Sequence, residues 1–269
     1  MTRKFIAAGV LAWALGTLSA SPLAAQAPAA DATQAARLAE RNRLWVLAQQ
    51  LLGAGQTADA IAAGEKMLAI ERELYRRLTD DLAFSLDWLG ERELERENFS
   101  QAEKRFREAL ETRTVVFGAG HWKVTDARLQ VEQARLLAKL GPQDRQDILE
   151  AERANSKLVR LIGEGHYQVA IELAETCRVS RLRLLGRSHP DYATSLNNLA
   201  ELYRAMGDYA RAGPLYRQAT EIRKNALGEA HPDYAQSLNN LASLYHIMGD
   251  YARAEPLYRQ AMEIRKKAL

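Results

Sequence analysis

Apolar residues along this chain recur at helical rather than strand spacing, in paired segments separated by short polar turns. Leu196, Leu199, Ala200 and Tyr203 fall at i, i+3, i+4 and i+7, one stripe of an α-helix. Leu238, Leu241, Ala242 and Tyr245 repeat that stripe, as do Leu44, Leu47, Ala48 and Leu51, with Leu86, Leu89 and Gly90 as a weaker copy. A second stripe follows each turn: Ala212, Leu215, Tyr216 and Ala219, echoed by Ala254, Leu257, Tyr258 and Ala261, and by Ala102, Phe106 and Ala109. Small alanines beside large aromatics let paired helices approach closely. The turns keep one frame. Gly165, Gly207 and Gly249 are 42 residues apart, Gly55 and Glu97 are 42 apart, and the step from 97 to 165 is 68. Repetition at this period predicts a solenoid of stacked helix pairs.

The punctuation fits. Pro190 and Pro232 suit a first helical turn, Asp191 and Asp233 sit near its positive end, and Gly207-Asp208 and Gly249-Asp250 end one helix and cap the next. Pro214 and Pro256 fall inside the second helix, where a local bend near its start is expected. The irregular stretch from His121 to Glu164 holds two helical patterns, about 123–140 and 144–162, split by Gly141-Pro142, one helix too many for strict pairing.

The stretch "HPDYATSLNNLAELYRAMGDYARAGPLYRQATEIRKNALG", from His189 to Gly228, and its near-copy from His231 resemble the tetratricopeptide repeat in its 42-residue, kinesin-light-chain-like form. Units at about 37–76 and 80–118 match mainly at apolar and turn positions. The resemblance implies an all-α, right-handed superhelical solenoid of antiparallel helix pairs with an irregular helical junction in the middle. The expected division is a signal peptide at 1–29, a degenerate N-terminal array at 30–120, a junction helix at 121–143 and a C-terminal array at 144–269. The segment "HWKVTDARLQVEQARLLAKL" is similar to one in bacterial relatives that continue into a caspase-like peptidase of the CHAT type; no such domain stands in this sequence.

At its start, Arg3 and Lys4 precede an apolar run from Phe5 to about Leu18 and then "SASPLAAQAPAA", the order of a secretory signal peptide cleaved after Ala27 or Ala29. The run is short for a membrane span. Export to the periplasm or medium is expected, with an uncleaved membrane anchor as the alternative, and no span in the mature chain. The formal charge of +3 falls to +1 without residues 1–29, which hold those two cations and no acid. A near-neutral body with no basic block gives no footprint for nucleic acid. Cys177 is the only cysteine and reads as a small apolar helix residue. His121, His189 and His231 are spread along the solenoid too regularly to converge on a metal and read as turn residues. "HPD" appears twice on the repeat frame, which favours a helix start over a J-domain signature. No catalytic constellation, cofactor motif or metal cluster stands out, so no enzyme, cofactor or metal is expected.

Binding chemistry is expected on the first helices, which line the concave side in this family. Helix geometry sets Thr194, Asn197, Asn198, Glu201 and Arg204 opposite the apolar stripe, and one unit later Gln236, Asn239, Asn240, Ser243 and His246. Asparagine is a mediocre helix former whose amide offers both donors and an acceptor. In the family, groove asparagines satisfy the backbone of an extended peptide, and Asn198 and Asn240 match the ligand-facing position. The alternative is that these amides bond neighbouring helices and hold the stack. The corresponding arc of the N-terminal array carries Trp45, Asp87, Trp88 and Glu91; the indoles are expected to pack under the segment from about Ala30 to Ala36, with anchoring of an apolar peptide side chain on the groove wall as the alternative. The expected function is a non-catalytic scaffold holding a peptide or protein segment in the groove. The alternative is the sensor portion of a larger or truncated CHAT peptidase-type system, since "AMEIRKKAL" stops where earlier copies continue. Self-association through that uncapped last helix is a further expectation.

Overall fold

The computed structural model of the protein describes residues 32–75 and 78–268, so the signal peptide expected at 1–29 lies outside the described residues. Among the described residues there are eleven helices and no strand. They fall into two compact units divided between Lys139 and Leu140. The first unit holds α1 (Ala32–Gly53), α2 (Thr57–Leu74), α3 (Asp80–Glu95), α4 (Phe99–Phe117) and α5 (Trp122–Lys139). The second holds α6 (Pro142–Gly163), α7 (Tyr167–Leu185), α8 (Pro190–Ala205), α9 (Tyr209–Leu227), α10 (Pro232–Ile247) and α11 (Tyr251–Ala268). Packing follows the pairs α1/α2, α3/α4, α6/α7, α8/α9 and α10/α11, with α5 laid on α4. The helix pairing read from the apolar stripes is therefore present. Helices α9 and α11 run unbroken through Pro214 and Pro256.

Backbone geometry repeats with the frame. Gly55, Gly165, Gly207 and Gly249 all take positive φ, and so does Glu97, at 57° the one non-glycine residue in this conformation among the described residues. The turn bonds are the same in each case: Gly207 N donates to Arg204 O at 3.0 Å and Asp208 N to Tyr203 O at 2.8 Å, while Glu97 N donates to Leu94 O at 3.0 Å and Asn98 N to Glu93 O at 2.9 Å. This closure satisfies carbonyls that a helix end leaves open.

The turn histidines have a more definite role than the sequence suggested. Nδ1 of His121, His189 and His231 accepts from the backbone N–H two residues on, at 3.2, 3.1 and 3.0 Å, so each caps a helix start. Helix α5 thus opens as a first helix does.

Small residues meet large ones within pair α3/α4 and between α2 and α3. A Cβ on Gly90 would lie 2.6 Å from the Phe106 ring, and one on Gly64 would lie 2.6 Å from Trp88. In the second unit Ala200 and Tyr216 occupy the positions of Gly90 and Phe106, and both are buried.

Candidate functional site

In the second unit a groove of about 470 Å³ runs across the first helices α6, α8 and α10. Its lining includes Asn155, Leu158, Val159 and Ile162 from α6, Asn197, Asn198, Glu201 and Arg204 from α8, and Asn239, Asn240 and Ser243 from α10. These residues share a face because the 42-residue repeat returns the same helical angle in each unit.

The asparagines are bonded across the helices in register. Asn198 Nδ2 donates to Asn155 Oδ1 at 2.8 Å, and Asn240 Nδ2 donates to Asn197 Oδ1 at 2.8 Å. The second asparagine of each unit thus meets the first asparagine position of the unit before. Both roles considered from the sequence meet in one structure: the amides line the groove and they tie neighbouring helices. A carboxamide has two N–H donors and an acceptor oxygen with two lone pairs, so one rung leaves capacity in hand. The Nδ2 groups of Asn155, Asn197 and Asn239 and the Oδ1 of Asn198 make no bond among the described residues.

The remaining polar lining is internally balanced. Arg204 donates twice to Glu201, once from Nε at 3.0 Å, and Tyr216 Oη donates to Glu201 Oε2 at 2.6 Å. Against the burial that would raise it, those hydrogen bonds hold the Glu201 carboxyl below the usual carboxylate range. At the α6 end the lining turns apolar, and Val159 is 73% exposed beside buried Leu158.

Three residues placed on this arc by helix geometry do not line the groove. Thr194 Oγ1 accepts from Arg223 at 3.1 Å, Gln236 accepts from Arg265 at 2.6 Å while donating to Asn240 Oδ1 at 2.7 Å, and the His246 ring packs edge-on against Tyr251 at 5.1 Å. They are drawn instead to the second helices. Conversely, the α6 lining went unread in the sequence, although Asn155 lies 42 residues before Asn197.

In the first unit the equivalent arc is aromatic. Trp45 packs edge-on against Phe84 and Trp88 at 5.7 and 5.6 Å, and the Arg92 guanidinium lies 5.6 Å from the centre of the Trp88 ring. Of the segment 30–36 expected over the indoles, residues 30 and 31 lie outside the described residues, and residues 33–36 are exposed in the first turns of α1. Asp87 accepts from Arg113 at 2.6 Å, yet burial, with Asp80 and Asp126 nearby, pushes its carboxyl up to about 6. Burial also pushes Glu91 up to about 7, helped by Asp87 and Glu95 and opposed by Arg92.

Two sequence profiles, each described as Tetratricopeptide repeat, match residues 161–225 and 198–267, and residues 85–123. The chain belongs to the tetratricopeptide repeat family. This TPR protein is similar to the solved structures of BtubC (BKLC) from P. vanneervenii, with 19% identity over 88% of this chain and 89% of that one at a TM-score of 0.38, and of a Podosopora anserina putative kinesin light chain with nearly identical TPR-like repeats, with 20% identity over 84% and 95% at 0.36. It is also similar to the TPR2AB domain of yeast Sti1, solved as a complex with pHSP90, at 14% identity over 84% and 78% and a TM-score of 0.34. No curated protein matches the chain. Among the described residues no helix is long and apolar enough to cross a membrane, and no cluster of metal-ligating side chains is present.

Proposed function

We propose that this TPR protein is a non-catalytic scaffold that holds an extended peptide or protein segment in the groove of its second unit. The observation that carries this reading is the pair of interhelical asparagine rungs, which fix the carboxamides while leaving N–H and C=O groups open toward the groove. An extended backbone offers the complementary groups, and a fixed receptor loses little side-chain entropy on binding it. At the α6 end, Val159 and Ile162 give an apolar side chain a seat.

Replacing Asn198 and Asn240 by alanine removes the open Asn198 carbonyl and both rungs that hold the Asn155 and Asn197 amides in place. At about 1 kcal/mol per hydrogen bond lost, partner capture from an envelope extract falls roughly tenfold or more, while helical content by circular dichroism stays unchanged. Undiminished capture removes the groove assignment. Asn197→Asp is a second probe, because it keeps the acceptor used by Asn240 while it turns the donors into a charged acceptor, and it is expected to weaken capture further.

We also infer that the protein works outside the cytoplasm. The charged, apolar and small-residue order of residues 1–29 supports this. Mass spectrometry of the purified envelope form is expected to find a new N-terminus next to Ala27 or Ala29; a protein retained in the cytoplasm with Met1 intact contradicts it.

A further inference from the structure

Each asparagine rung of the second unit joins two fixed positions of the repeat. One is ten residues before a turn, Asn155 before Gly165 and Asn197 before Gly207; the other is nine after a capping histidine, Asn198 after His189 and Asn240 after His231. The first helices of the first unit hold other chemistry at these positions. Trp45, ten before Gly55, meets Trp88, nine before Glu97 as Asn198 is nine before Gly207, edge-on at 5.6 Å, so this rung is aromatic. The next pair is Asp87, ten before Glu97, and Gln130, nine after His121, and no hydrogen bond closes it. Asp87 Oδ1 and Gln130 Oε1 are buried acceptors without a donor among the described residues, and Asp87 as a whole is only 9% exposed.

Open buried acceptors cost free energy that an arriving donor recovers. The surroundings set the charge of that donor. Asp80, Glu91 and Glu95 on α3 and Asp126 on α5 crowd Asp87, against Arg92 on α3, Arg113 on α4 and Lys123 on α5, so that five acids face three cations among the described residues. Lys123 is itself held by Asp80. Burial and this crowding push Asp87 up to about 6 and Glu91 up to about 7, the condition of carboxylates short of a cation.

The acceptors also select the kind of cation. Asp87 Oδ2 is taken by Arg113 at 2.6 Å and Glu91 Oε2 by Arg92 at 3.2 Å, so neither carboxylate offers the two free oxygens that a planar guanidinium grips. An ammonium has three N–H groups directed apart and suits acceptors that arrive singly. Beside them, half-buried Trp45 and the Phe84 ring, 40% exposed and 5.7 Å from the indole, offer apolar surface on which a four-carbon stem can lie. We propose that the first unit binds a lysine side chain of a partner polypeptide, its ammonium donating to Asp87 Oδ1, Gln130 Oε1 and the Glu91 carboxylate and its stem lying on Trp45 and Phe84.

The probe is the blocked peptide acetyl-Gly-Ser-Lys-Ser-Gly-amide, titrated into the full chain while the indole N–H signals of Trp45 and Trp88 are followed by NMR. One side chain held this way is expected to bind with a Kd on the order of 1–10 mM, so the titration runs to about 50 mM. Peptides with norleucine or arginine in place of the lysine, and butylammonium, which lacks a backbone, bind at least about threefold more weakly. Asp87→Asn and Gln130→Met each weaken the lysine peptide about fivefold; Gln130 takes part in no printed ion pair, so its variant keeps the test alive if Asp87→Asn disturbs the Arg113 contact. Affinity rises at least about tenfold from pH 5 to pH 8, because the cation needs the ionised carboxylates. Absent indole shifts overturn the proposal, as do a norleucine or arginine peptide that binds equally well, butylammonium that binds as tightly as the peptide, or a Gln130→Met variant without effect. Asn198→Ala with Asn240→Ala is expected to leave the lysine titration unchanged, so this site and the groove of the second unit fail separately; a loss in that variant assigns the binding to the second unit and overturns the proposal too.

Discussion

Glu97 occupies a turn position that glycine fills in the units at Gly55, Gly165, Gly207 and Gly249, and it holds the same left-handed backbone. A Cβ in that region costs on the order of 1 kcal/mol, so Glu97→Gly is expected to stabilise the first unit by about 0.5–1 kcal/mol in a urea titration. The two raised carboxyls give a second expectation. Asp87 titrates at about 6 and Glu91 at about 7 in the folded protein, above the ordinary carboxylate range. The folded state therefore binds protons that the unfolded chain releases, and stability rises as pH falls from about 8 to about 5. Asp80 and Glu201, held below the ordinary range, lose their contribution only as pH falls further. Denaturation midpoints across pH test the sign, and Glu91→Gln flattens the upper part of the curve. Because 27% of the Glu91 side chain meets solvent, Asp87 is expected to contribute the larger share.

Between elements, a buried arginine on the second helix recurs where the sequence showed only a charged letter. Arg181 donates to Ala151 O at 3.1 Å on α6 and to Ser195 Oγ at 2.9 Å on α8. Arg223, one repeat later, bridges Thr194 on α8 to Ser237 and the Asp233 carbonyl on α10. Each guanidinium reaches from its own helix to the first helices on either side. Arg223→Ala leaves buried hydroxyl and carbonyl groups without that partner and is expected to cost about 3 kcal/mol, read as a lowered thermal midpoint of the second unit. Helix pairs and turns were legible because apolar spacing and left-handed glycines follow directly from backbone geometry. The staples were not: arginine is commonly a solvated residue, and only the positions 113, 181, 223 and 265, on the same frame as the turns, could have marked them. For the same reason the groove was half legible. The doubled asparagines of α8 and α10 stood out, whereas in α6 Asn155 is followed by Ser156 and Lys157 and the copy is disguised. Thr194 and Gln236 were misplaced because helix angle alone does not reveal an arginine arriving from a neighbouring element.

At the scale of the whole molecule, each unit has its own core. Leu82, Leu86, Leu89 and Trp88 anchor the first, while Leu199, Leu202, Tyr216 and Leu244 anchor the second. A fragment spanning 140–269 is therefore expected to fold alone and keep the groove, and urea denaturation of the full chain is expected to show more than one transition, as repeat arrays permit. A chain that melts in one step, with an unstructured fragment, contradicts this. The close approach of Gly90 to Phe106 carries a further consequence. The copies beginning at His189 and His231 are nearly interchangeable in text, so misaligned genetic exchange between them could add or delete a whole 42-residue module and still leave well-packed helices. Writing their alanine into position 90 instead drives a methyl group into an aromatic ring 2.6 Å away. The nearly identical modules can thus be exchanged whole, whereas position 90 admits their residue only if its aromatic neighbour gives way.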